Sequence, residues 1–212
     1  MGPGRRHPDA VAMTALPFRI GLTGNIATGK TTVGLMLEKL GAELIDADKV
    51  AHAVMAPEGK AYAPVVAAFG DGILEHDGAI DRRELGRRVF SDPVALQRLE
   101  ALVHPPVIDA IEQRIASSRA RVVVVEAIKL LESGMAGSYD AIWVTACSEA
   151  RQLERLANTR GMRPDAALNR IRAQSPQAEK LAQADVVIDT EGTLMETELQ
   201  VISAWEAIQA RL

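Results

Sequence analysis

Residues 24–31 read Gly-Asn-Ile-Ala-Thr-Gly-Lys-Thr, a complete match to G-x-x-x-x-G-K-[ST]. The run Pro17-Phe-Arg-Ile-Gly-Leu-Thr23 precedes them and has the composition of a strand. Val33, Met36, Leu37 and Leu40 follow at i, i+3, i+4 and i+7, with Gly41 as a helix stop. A chain that turns from a strand directly into a helix aims its backbone N–H groups and the positive end of the helix dipole at phosphate oxygens. Gly24 and Gly29 let the backbone turn closely, and Asn25, Ile26, Ala27 and Thr28 complete the cradle. Lys30 reaches the β- and γ-phosphates, the Thr31 hydroxyl is a ligand for Mg²⁺, and Thr32 adds a contact to the α-phosphate. The pattern specifies a nucleoside triphosphate, ATP with Mg²⁺, and leaves open where the γ-phosphate goes.

The remainder of the chain fits this beginning. Strand-like runs at 19–23, 42–45, 122–125, 141–145 and 185–188 alternate with helical patterns. The continuous run Val122-Val-Val-Val125 suits a strand covered on both faces. The expectation is an α/β fold, a P-loop doubly wound parallel sheet of about five strands, in one domain over 17–212. Ligands in such sheets lie beyond the carboxyl ends of the strands.

Two stretches depart from simple alternation. Residues 50–117 supply successive helices without a clear strand, a helical subdomain over the active edge. Asp92-Pro93 opens one of them, Leu96, Leu99 and Val103 share its face, and His104-Pro105-Pro106 is expected to force an extended path before the next. The basic stretch 151–164, with Asn158-Thr-Arg-Gly-Met-Arg-Pro164, has the composition of a mobile lid. Near the end, Thr193 and Glu196 form a capping box, and Val201, Trp205, Ile208 and Leu212 form a packing stripe.

Composition excludes several classes. A net charge of −4 argues against nucleic-acid binding, and the clusters Arg82-Arg83 and Arg87-Arg88 suit a small anionic ligand. The single cysteine, Cys147, excludes an intrachain disulfide and reads as a small buried residue in a cytoplasmic protein. No apolar run approaches the roughly 20 residues that span a bilayer. Residues 1–16, with Arg5-Arg6 and a possible alternative start at Met13, read as a disordered extension. The histidines and the cysteine show no metal-ligand spacing.

Beyond the second strand lies Ile45-Asp-Ala-Asp48, followed by Lys49-Val-Ala-His52. A carboxylate placed there either merely caps the next helix or faces the phosphate loop to accept or orient the proton of an attacking hydroxyl, and Asp-x-Asp leaves room for both. Spacing alone does not assign the two roles.

These motifs resemble the dephospho-CoA kinase family. The likeness runs through Gly21-Leu-Thr-Gly24 and the loop, Ile45–Asp48, Ala51-His52, Phe69-Gly70, Gly78-Ala-Ile-Asp-Arg82, Leu85, Val89-Phe90 and His104-Pro105. It continues with Gln152-Leu-Glu-Arg155, Arg160, Gln174 and Ala184-Asp-Val-Val-Ile-Asp189. The resemblance implies transfer of the ATP γ-phosphate to the ribose 3′-hydroxyl of dephospho-CoA, giving coenzyme A and ADP. It implies Asp48 as the base-like residue and a body of nucleotide core, helical CoA-binding subdomain and lid. Arg155 and Arg160 match lid arginines that neutralise developing charge, although a solvated helix face gives the same pattern. Arg82 is placed toward the acceptor's phosphates, and His52, at i+4 from Asp48, toward the acceptor itself. His104 reads as structural. Small-molecule chemistry of this kind suits a monomer or weak homo-oligomer.

The chain also departs from the family's pattern. The usual loop Gly-Gly-Ile-Gly-Ser-Gly-Lys is here Gly24-Asn-Ile-Ala-Thr-Gly-Lys30, and Ala27 calls for an ordinary backbone conformation. After the third strand, Ile-Pro-Leu-Leu-Phe-Glu becomes Ala127-Ile-Lys-Leu-Leu-Glu132, which loses the proline and brings Lys129 near the cleft. Glu126 ends an apolar strand, where its carboxylate suits either a Mg²⁺-bound water or the N-terminus of a helix. The competing readings are a P-loop kinase for a nucleoside monophosphate or other small metabolite, and a GTP switch. The second lacks the Asn-Lys-x-Asp guanine motif.

Overall fold

A computed structural model describes residues 16–132 and 134–212. The expected extension at 1–16 falls, except for Leu16, outside the described residues. Five strands, β1 (Phe18–Thr23), β2 (Glu43–Asp46), β3 (Val122–Glu126), β4 (Ala141–Ala146) and β5 (Val186–Asp189), form one sheet in the order β2-β3-β1-β4-β5. Every pairing is parallel. Nine helices are described: α1 (Lys30–Lys39), α2 (Ala47–Val54), α3 (Tyr62–Phe69), α4 (Arg82–Phe90), α5 (Pro93–Ser117), α6 (Glu149–Arg160), α7 (Pro164–Arg172), α8 (Gln177–Leu181) and α9 (Leu194–Gln209).

The side-chain alternation of β3 divides the core. Val122 and Val124 join Ile20, Leu22, Trp143 and Ile188 beneath α1 and α9, where Val33, Met36, Leu37, Val201, Trp205 and Ile208 are buried. Val123 and Val125 point to the other face and pack with Ile45 and the buried residues of α2–α5. A strand covered by helices on both sides has no polar face, which is why this one reads as four valines. The stripe on α9 is buried through Ile208, whereas Leu212, past the helix end, is 45% exposed. The Thr193–Glu196 capping box forms as expected.

The path through His104-Pro105-Pro106 differs from expectation. α5 continues through both prolines without a break, from the Asp92 N-cap to Ser117. Two prolines remove two N–H donors and leave the carbonyls four residues earlier without those partners. The continuous helix nevertheless buries Val103, Val107, Ile111 and Ile115 against α2, α3 and α4. That burial outweighs the local preference, which a reading confined to neighbouring residues does not register.

A smaller packing unit sits below residues 24–31. Ile26 is buried with Leu156 of α6 and Ala167 and Ile171 of α7. Lys180 of α8 is 2% exposed and donates to the Ile128 carbonyl at 2.9 Å and the Glu132 carboxylate at 2.6 Å. The helices between β4 and β5 are therefore fastened both to the loop after β1 and to the segment after β3.

Pro105 is exposed, so Pro105→Ala restores a donor without removing buried area. The variant is expected to be more stable by about 2 kcal/mol, the helix-interior cost of proline less its effect on the unfolded chain. Urea denaturation monitored by circular dichroism measures this, and an unchanged or lower midpoint contradicts it.

Candidate active site

The loop closing β1 is built on backbone conformations that few residues tolerate. Gly24 has φ 148°, and a Cβ there would overlap the side chain and carbonyl of Thr145. Gly29, at φ 85°, is the left-handed N-cap from which α1 starts. The Lys30 ammonium turns back over the loop and donates to the carbonyls of Gly24 at 2.9 Å and Asn25 at 3.1 Å. The Thr28 hydroxyl donates to the Asn25 carbonyl at 2.8 Å and lies 2.7 Å from the Thr145 hydroxyl. From the α7–α8 connection, the Gln174 side-chain carbonyl accepts the Ile26 N–H at 2.7 Å, and the Ser175 carbonyl accepts from the Asn25 amide at 3.1 Å.

Ala27 does not have the ordinary conformation expected of it. At φ 60° it is the one non-glycine residue at positive φ among the described residues. A left-handed L-residue costs roughly 1–2 kcal/mol. Its carbonyl accepts from the Arg155 guanidinium at 3.1 Å, which also donates to the Thr190 hydroxyl at 3.0 Å and carbonyl at 2.5 Å. Thr190 in turn donates to the Thr28 carbonyl at 2.9 Å. Arg155 thus links the loop after β1 to the segment after β5, with Cys147 buried beside it as a small packing residue.

Parallel register brings the acidic groups together. Asp46 pairs with Glu126 and Glu126 with Leu22, so β1, β2 and β3 end at one level. Glu126 accepts from the Thr31 hydroxyl at 2.8 Å. Burial raises its carboxyl pKa against the opposing effects of Thr31 and Lys30. Burial likewise lowers the Lys30 pKa to about 8, opposed by Glu126 and Asp48. The two carboxylates of Asp-Ala-Asp divide as the spacing allowed. Asp46 is the N-cap of α2 and accepts from the Lys49 N–H at 3.0 Å. Asp48 projects from the first turn into a cavity.

Two cavities flank this edge. One, of about 480 Å³, is lined by Ala27, Gly29, Lys30, Thr31, Thr32, Arg155 and Arg160, by Thr190 and Gly192 from the β5–α9 connection, and by Leu194 and Thr197 from the first turn of α9. The other, of about 350 Å³, has Asp48 on its wall and an apolar lining of Ala51, Met55, Leu99, Val103, Val107, Ile108 and Ile128. Glu100, His104 and Lys129 also line it, and Lys129 donates to Glu100 at 2.6 Å. Arg160 is exposed in the first cavity with no hydrogen bond or ion pair among the described residues. His52 and Arg82 are exposed on α2 and α4, and neither lines the Asp48 cavity. Thr190–Thr197 and the Glu100–Lys129 pair were not singled out as binding residues. Thr190–Thr197 and Lys129 carry a positional signal, because they follow the carboxyl ends of β5 and β3, whereas Glu100 lies within α5.

Among the described residues, no group of three or more His, Cys, Asp or Glu side chains is placed to hold a metal ion. The Thr31 hydroxyl and Glu126 carboxylate are hard oxygen donors side by side, as Mg²⁺ requires when substrate phosphates and water complete its shell. No described helix is long and apolar enough to cross a membrane.

Comparison with known proteins agrees with this geometry. A family model described as dephospho-CoA kinase matches residues 18–196. The dephospho-CoA kinase of Geobacter sulfurreducens is 43% identical over 189 residues, covering 88% of this chain and 96% of that protein. A solved Thermus thermophilus structure superposes with TM-score 0.80 at 31% identity, covering 93% of this chain and 99% of the other. The dephospho-CoA kinase structure from Campylobacter jejuni, at 24% identity and TM-score 0.67, shares the fold over 92% of this chain and 98% of its own.

Two expectations come from the loop. Ala27→Gly relieves the left-handed strain at the cost of a freer unfolded chain, so the protein should gain about 0.5–1 kcal/mol. Thermal unfolding tests this, and a loss of stability refutes it. Lys30, with its folded pKa near 8 against the ordinary 10.5, binds fewer protons folded than unfolded between those values. Stability should therefore rise with pH across that window, and Lys30→Met should abolish the rise. Over the same range the nucleotide-free site loses its ammonium charge, so kcat/KM for ATP should fall above pH 8. Denaturation midpoints and initial rates measured from pH 7 to 10 decide both.

Proposed function

The chain belongs to the dephospho-CoA kinase family, and we propose that its two cavities hold ATP and dephospho-CoA on either side of the β1–β3 edge, with Asp48 at the transferred phosphoryl group's destination. The reaction is ATP-dependent phosphorylation of dephospho-CoA, the last step in forming coenzyme A. The observation that carries the site assignment is the division of the two aspartates. Asp46 is occupied as a helix cap, and Asp48 is left facing a cavity next to Lys30.

In this reading residues 24–32 bind the triphosphate with backbone N–H groups, and the β5–α9 connection borders the remainder of the nucleotide. The Lys30 ammonium exchanges its loop carbonyls for β- and γ-phosphate oxygens. Asp48 orients the ribose 3′-hydroxyl and accepts its proton as the oxygen attacks the γ-phosphorus; the bond to the β,γ-bridging oxygen breaks and ADP leaves. Thr31 and Glu126 would hold Mg²⁺, which when bound neutralises phosphate charge. Arg160 supplies a mobile positive charge to the transferring group, and Arg155, engaged with Ala27 and Thr190, positions the loop. Residues 151–164 act as the lid, and α2–α5 as the acceptor-binding subdomain. Arg82 and His52 contribute by meeting the acceptor beyond the cavity, on the exposed faces of α4 and α2. The protein acts in the cytoplasm as a monomer or weak homo-oligomer.

A coupled ADP assay with dephospho-CoA beside a panel of nucleoside monophosphates tests the reading. Turnover is expected with dephospho-CoA, and turnover of a nucleoside monophosphate alone overturns it. Asp48→Asn should lower kcat by ~10²–10⁴ while ATP still binds, the usual loss for a general base. Near-normal turnover in that variant removes Asp48 from the chemistry.

A further inference from the structure

The acceptor-side cavity poses an electrostatic problem. Its lining carries two carboxylates, Asp48 and Glu100, over an apolar floor. Dephospho-CoA is itself anionic, because a diphosphate joins its adenosine to its pantetheine arm. Bringing that diphosphate beside two carboxylates is unfavourable without a cation. Among the described residues, Lys129 is the one Lys or Arg on the cavity's lining. It comes from the segment after β3 and crosses to α5, where it donates to Glu100 at 2.6 Å.

From this geometry we infer that Lys129 is an acceptor-binding residue. It exchanges Glu100 for the diphosphate of dephospho-CoA and so selects an acceptor carrying that group. The inference rests on the assignment of this cavity to dephospho-CoA. The Lys129 and Glu100 side chains are 58% and 33% exposed, so the ion pair between them is weak and readily given up. An ammonium on a four-carbon stem can follow the phosphate without disturbing the backbone. Until then, Glu100 holds Lys129 at the same cavity as Asp48, which limits the side-chain freedom lost on binding. Glu100 also repels an incoming anion, so it opposes the binding that Lys129 favours. The two members of the pair therefore have opposite expected effects, whereas a purely structural bridge would give them the same one.

Steady-state kinetics on Lys129→Met, Lys129→Arg and Glu100→Gln test the inference, with thermal unfolding confirming that each variant is folded. Lys129→Met is expected to raise KM for dephospho-CoA about tenfold, the loss of one charge-assisted hydrogen bond, with KM for ATP and kcat within about twofold. Lys129→Arg should restore most of the acceptor affinity. Glu100→Gln should lower KM for dephospho-CoA, the opposite of the Lys129→Met effect. An acceptor KM within about twofold of the parent in Lys129→Met overturns the inference. So does a parallel rise in Lys129→Met and Glu100→Gln, which would make the pair a structural tie. A parent protein that does not turn over dephospho-CoA at all sinks the functional reading itself, an outcome distinct from either.

Discussion

The arrangement depends on holding residues 24–29 in a shape the chain does not favour by itself. Three of these residues are at positive φ, and one of them is an alanine. The loop is fixed from four directions: by Lys30 onto the carbonyls of Gly24 and Asn25, by Thr145 beside Thr28, by Gln174 and Ser175 onto Ile26 and Asn25, and by Arg155 and Thr190 onto Ala27 and Thr28. Strain of this kind persists only where surrounding structure over-determines it. The ties also explain why α6 and α7 lie where they do. Ile26 is buried in their small core, and their connections supply the donors and acceptors that the loop requires.

Burial tunes the charged groups at this edge in opposite senses. Lys30 is pushed toward its neutral form and Glu126 toward its protonated form, because each has lost water. Each also steadies the charge of the other. A triphosphate placed against Asp46, Asp48 and Glu126 meets three carboxylates, so on the proposed reading cations must accompany it. Lys30 is one, Arg160 reaches the same cavity, and the adjacent oxygens of Thr31 and Glu126 suit a divalent ion. Electrostatic stabilisation from such preset groups acts without reorganisation at the moment of transfer.

How much of this was legible in the sequence depended on range. The strand at 122–125, the helix from Lys30 and the capping box at Thr193 are set by neighbours within a few residues, and all three form. The helix runs through Pro105 and Pro106 against their local preference because the opposing force is long-range, the burial of Val103, Val107, Ile111 and Ile115 against three other helices. Ala27 departs from its local preference for the same reason: Arg155, 128 positions away, holds its carbonyl. In the site, the loop and the Asp-Ala-Asp motif were visible because local chemistry dictates them. Lys129 was legible only as a charge near the cleft, and Thr190 and Glu100 were not legible, since the sheet order β2-β3-β1-β4-β5 and the packing of α5 bring them to the edge.

The Asp-x-Asp spacing itself has a geometric reason. Asp46 ends β2 level with Glu126 and must turn its side chain onto the Lys49 N–H to close the first turn of α2. At 3.6 residues per turn, a residue two positions on emerges on nearly the opposite side of the helix axis. A carboxylate at 48 is therefore directed away from the capped backbone and into the cavity, while one at 46 is not. A carboxylate at 47 or 49 would leave from a different side of the same turn. The cap also fixes the first turn from which Asp48 projects, so the first aspartate sets the aim of the second. Two acidic residues with one between them are thus the shortest arrangement that both starts this helix at the strand's end and leaves a carboxylate beside Lys30.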